Sequence, residues 1–361
     1  DITSTLYAFA ARKSNGQVVT WGSGGGSDSS SVSSKLSSGV SKVYSTLYAF
    51  AALKDNGSVV TWGNGGDGGD SSSVADDLSS GVVKIFSTAH AFAALKSDGS
   101  VITWGSSFHG GDAPGDIARI YDVSDLLDSG VVDIAANSSG AAFAALKDDG
   151  SVVAWGDSDY GGSISNVVSY LSSGVVDIVP GDSTYAALKS DGSVVTWGSN
   201  FKGGDQNKGT GGDLTSGVVE IFANQGSFAA LKDDGSVVTW GFESVGGDSS
   251  SVANEINSGV TTVFTNLYSF AALKDDGSVI TWGNQQEGGN SINVSLDNVV
   301  TIADPFTDRA TRFQANSTTT EAATEDDNTI TGQLSANDVD GDNLSYQLLG
   351  ADIPGLAINS D

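Results

Sequence analysis

Apolar residues in this chain come in short bursts set apart by Ser, Asp, Asn and Gly, and the bursts recur in one order. In the second such group, Val40–Ser45, Ala49–Lys54 and 58–62 are apolar runs of strand length. Asp55-Asn56-Gly57 separates the second run from the third. Asn-Gly or Asp-Gly between two apolar runs suits a tight hairpin turn, because Gly and Asn tolerate positive φ. The same turn stands at Asn15-Gly16, Asp98-Gly99, Asp149-Gly150, Asp191-Gly192, Asp234-Gly235 and Asp276-Gly277, so these carboxylates read as turn residues rather than as chemistry.

Every third run ends in Trp-Gly, at Trp21, Trp62, Trp104, Trp155, Trp197, Trp240 and Trp282, which are all the tryptophans present. Their spacings are 41, 42, 51, 42, 43 and 42 residues. That period belongs to supersecondary units that stack on neighbours because none can bury an apolar face alone. The tryptophans are expected to pack in the core or between units. After Trp-Gly comes a short variable loop and then a Gly-Gly pair, as at Gly68-Gly69, Gly110-Gly111 and Gly203-Gly204, with the loop shortened in the first unit. The Ser-rich connection that follows carries apolar pairs four apart, such as Val32/Leu36, Val74/Leu78 and Val252/Ile256, which predict about one helical turn with one face inward.

Seven units of short strands and hairpins predict an all-β chain, a seven-bladed β-propeller over residues 1–305, since radial repetition hides most strand edges. A solenoid would need capping units. Here the chain opens part-way into a first-strand phrase at Ile2-Thr3-Ser4-Thr5 and repeats that phrase an eighth time at 299–303. The late phrase is expected to complete the first blade, the one carrying Trp21, and so close the ring.

Composition narrows function. The chain has 361 residues, a formal net charge of -28 and neither Cys nor Met. Disulfides and thiolate sites are excluded, and the charge opposes nucleic acid and anionic lipid. No apolar run is long enough to insert in a membrane. Without an initial Met the sequence is expected to be a piece of something larger.

The phrase running from Tyr185 through Asp191-Gly192 to Trp197-Gly198 resembles the regulator-of-chromosome-condensation repeat, whose family is built as seven-bladed propellers. The resemblance covers about residues 1–305 and implies the fold. Function it implies only broadly, since that family spans exchange factors, inhibitors and surface modules. The acidic balance departs from chromatin-associated members, and the Ser-Gly-Val connectors look more like secreted bacterial ones, including a propeller that inhibits β-lactamase.

Beyond Pro305 the repeat stops. Residues 306–323 read as a linker, and 324–361 resemble the beginning of a cadherin-like or VCBS-type β-sandwich module of large bacterial surface adhesins. There Asp338, Asp340 and Asp342 alternate with Val339 and Gly341, an arrangement of hard oxygen ligands suited to Ca²⁺, the one cofactor expected. Gly65-Gly66-Asp67-Gly68-Gly69-Asp70 is similar to a calcium-binding nonapeptide, but Ser72 stands where an apolar residue is needed, so a blade loop is expected.

The two histidines, His90 and His109, fall in different phases of the third unit, and neither has a triad partner in the sequence. His90 takes the phase of Tyr7, Tyr48 and Tyr268 and is expected to be a substituted aromatic. No motif singles out a catalytic pair, and an enzyme is not expected. The variable loops after Trp-Gly supply the better candidates for ligand or partner binding: Phe108, His109, Tyr160, Phe201 and Phe242, expected on one face. The longer third spacing, around 113–125, is expected to project as a loop.

These readings converge on a non-enzymatic extracellular or cell-surface module for binding or assembly in a bacterial adhesin or filament-forming protein. Its expected partner is a protein, a surface glycan or another copy of itself. The alternative is a secreted propeller-type inhibitor of an enzyme.

Overall fold

The computed structural model describes residues 1–111, 123–137, 140–205 and 213–291, together with 294, 296 and 299. The chain divides into two units, Asp1–Ile302 and Ala303–Asp361. The expected linker, the sandwich-like segment and Asp338, Asp340 and Asp342 lie outside the described residues, as do 112–122 of the third-unit loop.

The first unit is all-β, with seven three-stranded antiparallel sheets, each made of strands consecutive in sequence. The first sheet holds Ile2–Ser4, Ala8–Arg12 and Val18–Gly22. The second holds Val40–Ser45, Ala49–Lys54 and Val59–Gly63. The same trio recurs up to the seventh, Val260–Thr265, Ser269–Lys274 and Val279–Gly283. The seven-bladed β-propeller class expected from the repeat is borne out, and the apolar runs become strands with bounds shifted by one residue at most in the second blade.

Middle strands such as Ala91–Lys96 are buried on both faces because each blade is covered on two sides. Alternation then assigns the roles. Ala49, Ala51 and Leu53 of the second blade face Phe92, Ala94 and Trp104 of the third in one cluster. Large rings on one face therefore meet small alanines on the other, which lets successive sheets approach closely. Six clusters of this kind join successive blades from the first to the seventh. Among the described residues none joins the seventh to the first.

Two polar seams fasten each joint. At one edge an indole N–H reaches back to a glycine of the preceding blade: Trp62 to Gly26 O at 3.0 Å, Trp104 to Gly68 O at 3.0 Å and Trp240 to Gly203 O at 3.2 Å. At the other, the hairpin glycine accepts from the next blade, as Gly57 O does from Val82 N at 3.0 Å. Gly68 has φ 95°, and a Cβ there would stand 2.6 Å from Phe92 Cδ2. The Gly-Gly pairs are thus sockets for the next blade's Phe and Trp, a role beyond loop flexibility.

The predicted helical turns are present as 3-10 segments, Ser30–Val32 and Ser250–Val252 among them, with Leu36 and Ile256 N–H bonded to Val32 and Val252 O at 3.2 Å. Leu36, Leu78 and Ile256 are buried.

In the first blade, which 299–303 are expected to complete, Ile2–Ser4 pairs with Ala8–Arg12 as Ile2↔Ala11, Thr3↔Ala10 and Ser4↔Phe9. The first sheet's opening strand is short but present. Val299 N–H does bond Gly277 O at 2.9 Å, repeating the seam of the other blades, while 300–303 lie outside the described residues. One expectation needs correction: six tryptophans are buried between blades, but Trp21 is 45% exposed, because no described blade covers its face.

Candidate functional site

The loops between Trp-Gly and Gly-Gly share one backbone. Each is a single 3-10 turn, Ser107–His109, Ser158–Tyr160, Asn200–Lys202 and Glu243–Val245 in blades three to six, and each ends on a left-handed glycine. The last loop carbonyl is anchored to the turn between the first two strands of the same blade or, in blade five, to the first residue of the second strand. His109 O accepts from Thr88 Oγ1 at 3.1 Å, Tyr160 O from Asn137 Nδ2 at 2.6 Å, Lys202 O from Thr184 Oγ1 at 3.1 Å and Val245 O from Asn224 Nδ2 at 2.6 Å. With the backbone tied at both ends, side chains vary without disturbing the sheets.

This arrangement puts the candidate residues at one edge of the blades, in three different loop positions. Phe108 and Phe201 occupy the third position and are 72% and 78% exposed. Phe242 occupies the first position at 53%, and Tyr160 the fourth at 37%. The fourth position lies against the neighbouring turn, which explains why Tyr160 is the least exposed. His109 shares that position and is half-buried. Asp182 holds Lys202 in an ion pair beside Phe201.

Sequence spacing gave the histidines no partners; the fold supplies them. His90 Nδ1 lies 2.6 Å from Asp67 Oδ1, a residue in the fourth loop position of the preceding blade. His109 Nδ1 lies 2.8 Å from Ser106 Oγ, and the two imidazole centroids are 4.4 Å apart at 58°. Across the blades, Tyr7 stands 6.0 Å from Tyr48 and Tyr48 stands 5.9 Å from His90, so a row of rings ends in the two histidines. His90 therefore does take an aromatic position. The only signal for its pairing was the equivalence of Asp67 and His109 within the repeat.

Burial holds the His109 pKa below its ordinary value, the charge of His90 adds to this, and Asp157 and Asp67 act against it. Its imidazole is consequently poised to be neutral. Ser106–His109 and His90–Asp67 are two separate pairs, whereas a nucleophilic triad needs one imidazole bridging hydroxyl and carboxylate. Among the described residues no group of three or more His, Asp or Glu side chains is placed to hold a metal ion. Gly65–Asp67 is a blade loop like the others, with Asn64 Oδ1 accepting from Gly66 N at 3.0 Å. No helix among the described residues is long and apolar enough to cross a membrane.

The blades can now be set beside known proteins. Residues 175–203 match the model of the regulator of chromosome condensation (RCC1) repeat. No curated protein matches the chain. Among solved structures, the ectodomain of the Physcomitrella patens receptor kinase CR4 is 15% identical, covering 78% of this chain and 72% of that one at a TM-score of 0.38. The CRINKLY WD40 ectodomain of the Arabidopsis thaliana receptor kinase ACR4 is 16% identical over 76% and 90% of the two chains, also at 0.38. Yeast RCC1 (Prp20), solved bound to Kap60, is 18% identical over 68% and 70% at 0.38. The stretch 175–203 spans the strands Val175–Pro180, Thr184–Lys189 and Val194–Gly198 of the fifth blade, and a similar phrase recurs in register in the others, so the chain is a seven-bladed propeller whose fifth blade matches the RCC1 repeat.

Proposed function

We propose that this chain is a non-enzymatic, extracellular protein-binding module of a bacterial surface or filament-forming protein, and that its recognition surface is the loop edge carrying Phe108, Tyr160, Phe201 and Phe242. The observation that carries the reading is the exposure of large aromatic rings on backbone turns that are otherwise fixed by repeated hydrogen bonds. Aromatic side chains contribute large contact area at small entropic cost, and they are enriched in interface cores. At a net charge of -28 the favoured partner is a neutral or basic protein surface.

The test is an array printed with extracellular proteins and surface glycans, probed with the wild type and with a Phe108→Ser/Phe201→Ser/Phe242→Ser variant. Protein spots bound by the wild type should lose about tenfold or more in affinity with the variant, while its thermal unfolding stays nearly unchanged. Binding only to glycans, or equal binding by both proteins, would move recognition away from these residues.

A further inference from the structure

The chain has only two histidines, and the fold brings their rings together. His90 stands in the turn between Val82–Ser87 and Ala91–Lys96 of the third blade, and His109 ends the loop turn Ser107–His109 of the same blade. Both backbones are held by shared bonds. Thr88 Oγ1 donates to His109 O at 3.1 Å and accepts from Ala91 N at 3.0 Å, while His90 O accepts from Ser106 N at 2.9 Å. The rings are held too, with Asp67 Oδ1 at 2.6 Å from His90 Nδ1 and Ser106 Oγ at 2.8 Å from His109 Nδ1. Each Nδ1 is thereby engaged, and neither Nε2 has a partner among the described residues.

A carboxylate only accepts, so Asp67 draws the proton of a neutral His90 to Nδ1 and leaves the lone pair on Nε2. Ligating histidines in metal sites are set in this way. The Ser106 hydroxyl can accept from His109 Nδ1 to the same effect. Separation of the rings fits a shared ion. Two imidazoles on one metal, with bonds of about 2.0–2.1 Å, have centroids about 4.5 Å apart when the bonds meet at a right angle and about 5.2 Å apart at the tetrahedral angle. The centroids here are 4.4 Å apart, and planes 58° apart are not a face-to-face stack. The side chains of His90 and Asp67 are 26% and 17% exposed, which leaves the place open to solvent. Asp67 and Asp157 both act on His109 with a charge that favours a cation beside it.

We propose that Nε2 of His90 and Nε2 of His109 together bind one divalent transition-metal ion, Cu²⁺ most tightly, with water completing its coordination. The near right angle suits a tetragonal ion better than tetrahedral Zn²⁺, and Cu²⁺ heads the affinity order at nitrogen sites. Ca²⁺ and Mg²⁺ prefer oxygen ligands and are not held by this pair. Asp67 is a positioning residue, acting through the His90 ring. Two protein ligands make the ion exchangeable, unlike the closed four-ligand set of a structural site. The proposal is independent of partner binding by Phe108, Tyr160, Phe201 and Phe242, none of which it uses.

Calorimetric titration of the whole chain with CuCl2, NiCl2 and ZnCl2 in excess Ca²⁺ tests the site, the Ca²⁺ occupying carboxylates that bind cations without the histidines. One His-dependent ion per chain is expected, held more tightly as Cu²⁺ than as Ni²⁺ or Zn²⁺. His90→Gln and His109→Gln should each lose about tenfold or more in Cu²⁺ affinity, since either change turns a two-point contact into a single one. Asp67→Asn should lose about tenfold while both imidazoles stay bound and the metal-free melting temperature stays nearly unchanged. Nitrogen couplings in the electron paramagnetic resonance spectrum of the Cu²⁺ form should count two imidazoles in the wild type and in Asp67→Asn, and one in either Gln variant. If a variant fails to fold, the wild-type spectrum still decides. One coupled nitrogen or none in the wild type, Cu²⁺ affinity unchanged in any of the three variants, or displacement of Cu²⁺ by the excess Ca²⁺ would overturn the proposal.

Discussion

Trp104 of the third blade donates its indole N–H to the carbonyl of Gly68, 36 residues earlier in the second, at 3.0 Å. The bond is buried, and it ties packing to polar satisfaction at one point, because the glycine that accepts it is also the one whose missing Cβ makes room for Phe92. Replacing Trp104 by Phe should cost about 1–3 kcal/mol, since the Gly68 carbonyl is left buried without its donor. Trp104→Ala should cost about 3–5 kcal/mol by opening a cavity between two blades. Trp21→Ala, at a face with no described neighbour, should cost the dilute chain under about 1 kcal/mol. Urea unfolding of the three variants checks the order, and equal losses at Trp21 and Trp104 would contradict the account of the joint.

Glycines of the loops after Trp-Gly should separate by their roles. Gly110→Ala forces a side chain into φ 87° and brings a Cβ to 2.8 Å from Phe143 Cδ2, so a loss of about 1–3 kcal/mol is expected. Gly65→Ala meets only Asp70 Cβ at 3.4 Å, an ordinary contact, and should be nearly neutral. Thermal melts of the pair would show the asymmetry or refute it.

Tyr185 takes the place that Phe has in the other five buried stacks, and its hydroxyl donates to Ala142 O at 2.6 Å and accepts from Asn137 N at 3.2 Å. Burial pushes its pKa well up, so it stays a neutral hydroxyl. Asn137 N–H also reaches Ala142 O at 3.3 Å, which leaves both backbone groups a partner when the hydroxyl is removed. Tyr185→Phe should therefore cost only about 0.5–1.5 kcal/mol in chemical unfolding. A loss above about 3 kcal/mol would show that the hydroxyl holds the longer turn of the fourth blade in place.

The blade was legible because its rules are local. Apolar runs of strand length, Asp-Gly turns and Val32/Leu36 spacing each sit inside one repeat, and all reappear as strands, hairpins and 3-10 turns. The joint was less legible. Gly68 reads as a loop residue, and only the next blade shows that it is a socket. His90 and Asp67 are 23 residues apart in different repeats, so their contact depends on how blades stack, which no single phrase encodes. Trp21 was misread for a related reason: its phrase matches the other six, and exposure is decided by the neighbour.

His109 should make the loop edge sensitive to mild acid. Its folded pKa lies below the ordinary 6.5, because burial and the neighbouring His90 disfavour the charged ring more than Asp157 and Asp67 favour it. The unfolded chain thus takes up this proton first, and its contribution to stability is lost as pH falls through 6.5 towards the lower folded value. Melting temperatures measured at about pH 8 and about pH 5.5 should differ more for the wild type than for His109→Gln. The same difference in both would assign the sensitivity to other groups.

The hairpin turns offer a second, more acidic dependence. Blades one and two place Asn15 and Asn56 where blades three to seven place Asp98, Asp149, Asp191, Asp234 and Asp276. Asn56 Oδ1 accepts from Ser58 N at 3.1 Å, and Asp98 Oδ1 accepts from Ser100 N at 3.0 Å, so the amide makes the same backbone bond as the carboxylate. The five aspartate pKa values are held below the ordinary 3.8, first by the Ser hydroxyl and backbone N–H two residues on, with a nearby Lys contributing less. Groups lowered in this way contribute stability above 3.8 and lose it as pH falls through their folded values. Changing all five to Asn should keep the turns and flatten the acid limb of the stability curve. The urea midpoint should then fall less between about pH 7 and about pH 3 than it does in the wild type. An unchanged fall would place the acid sensitivity outside the hairpins, and a loss at neutral pH would mean that the carboxylate does something in these turns that the amide of Asn56 does not.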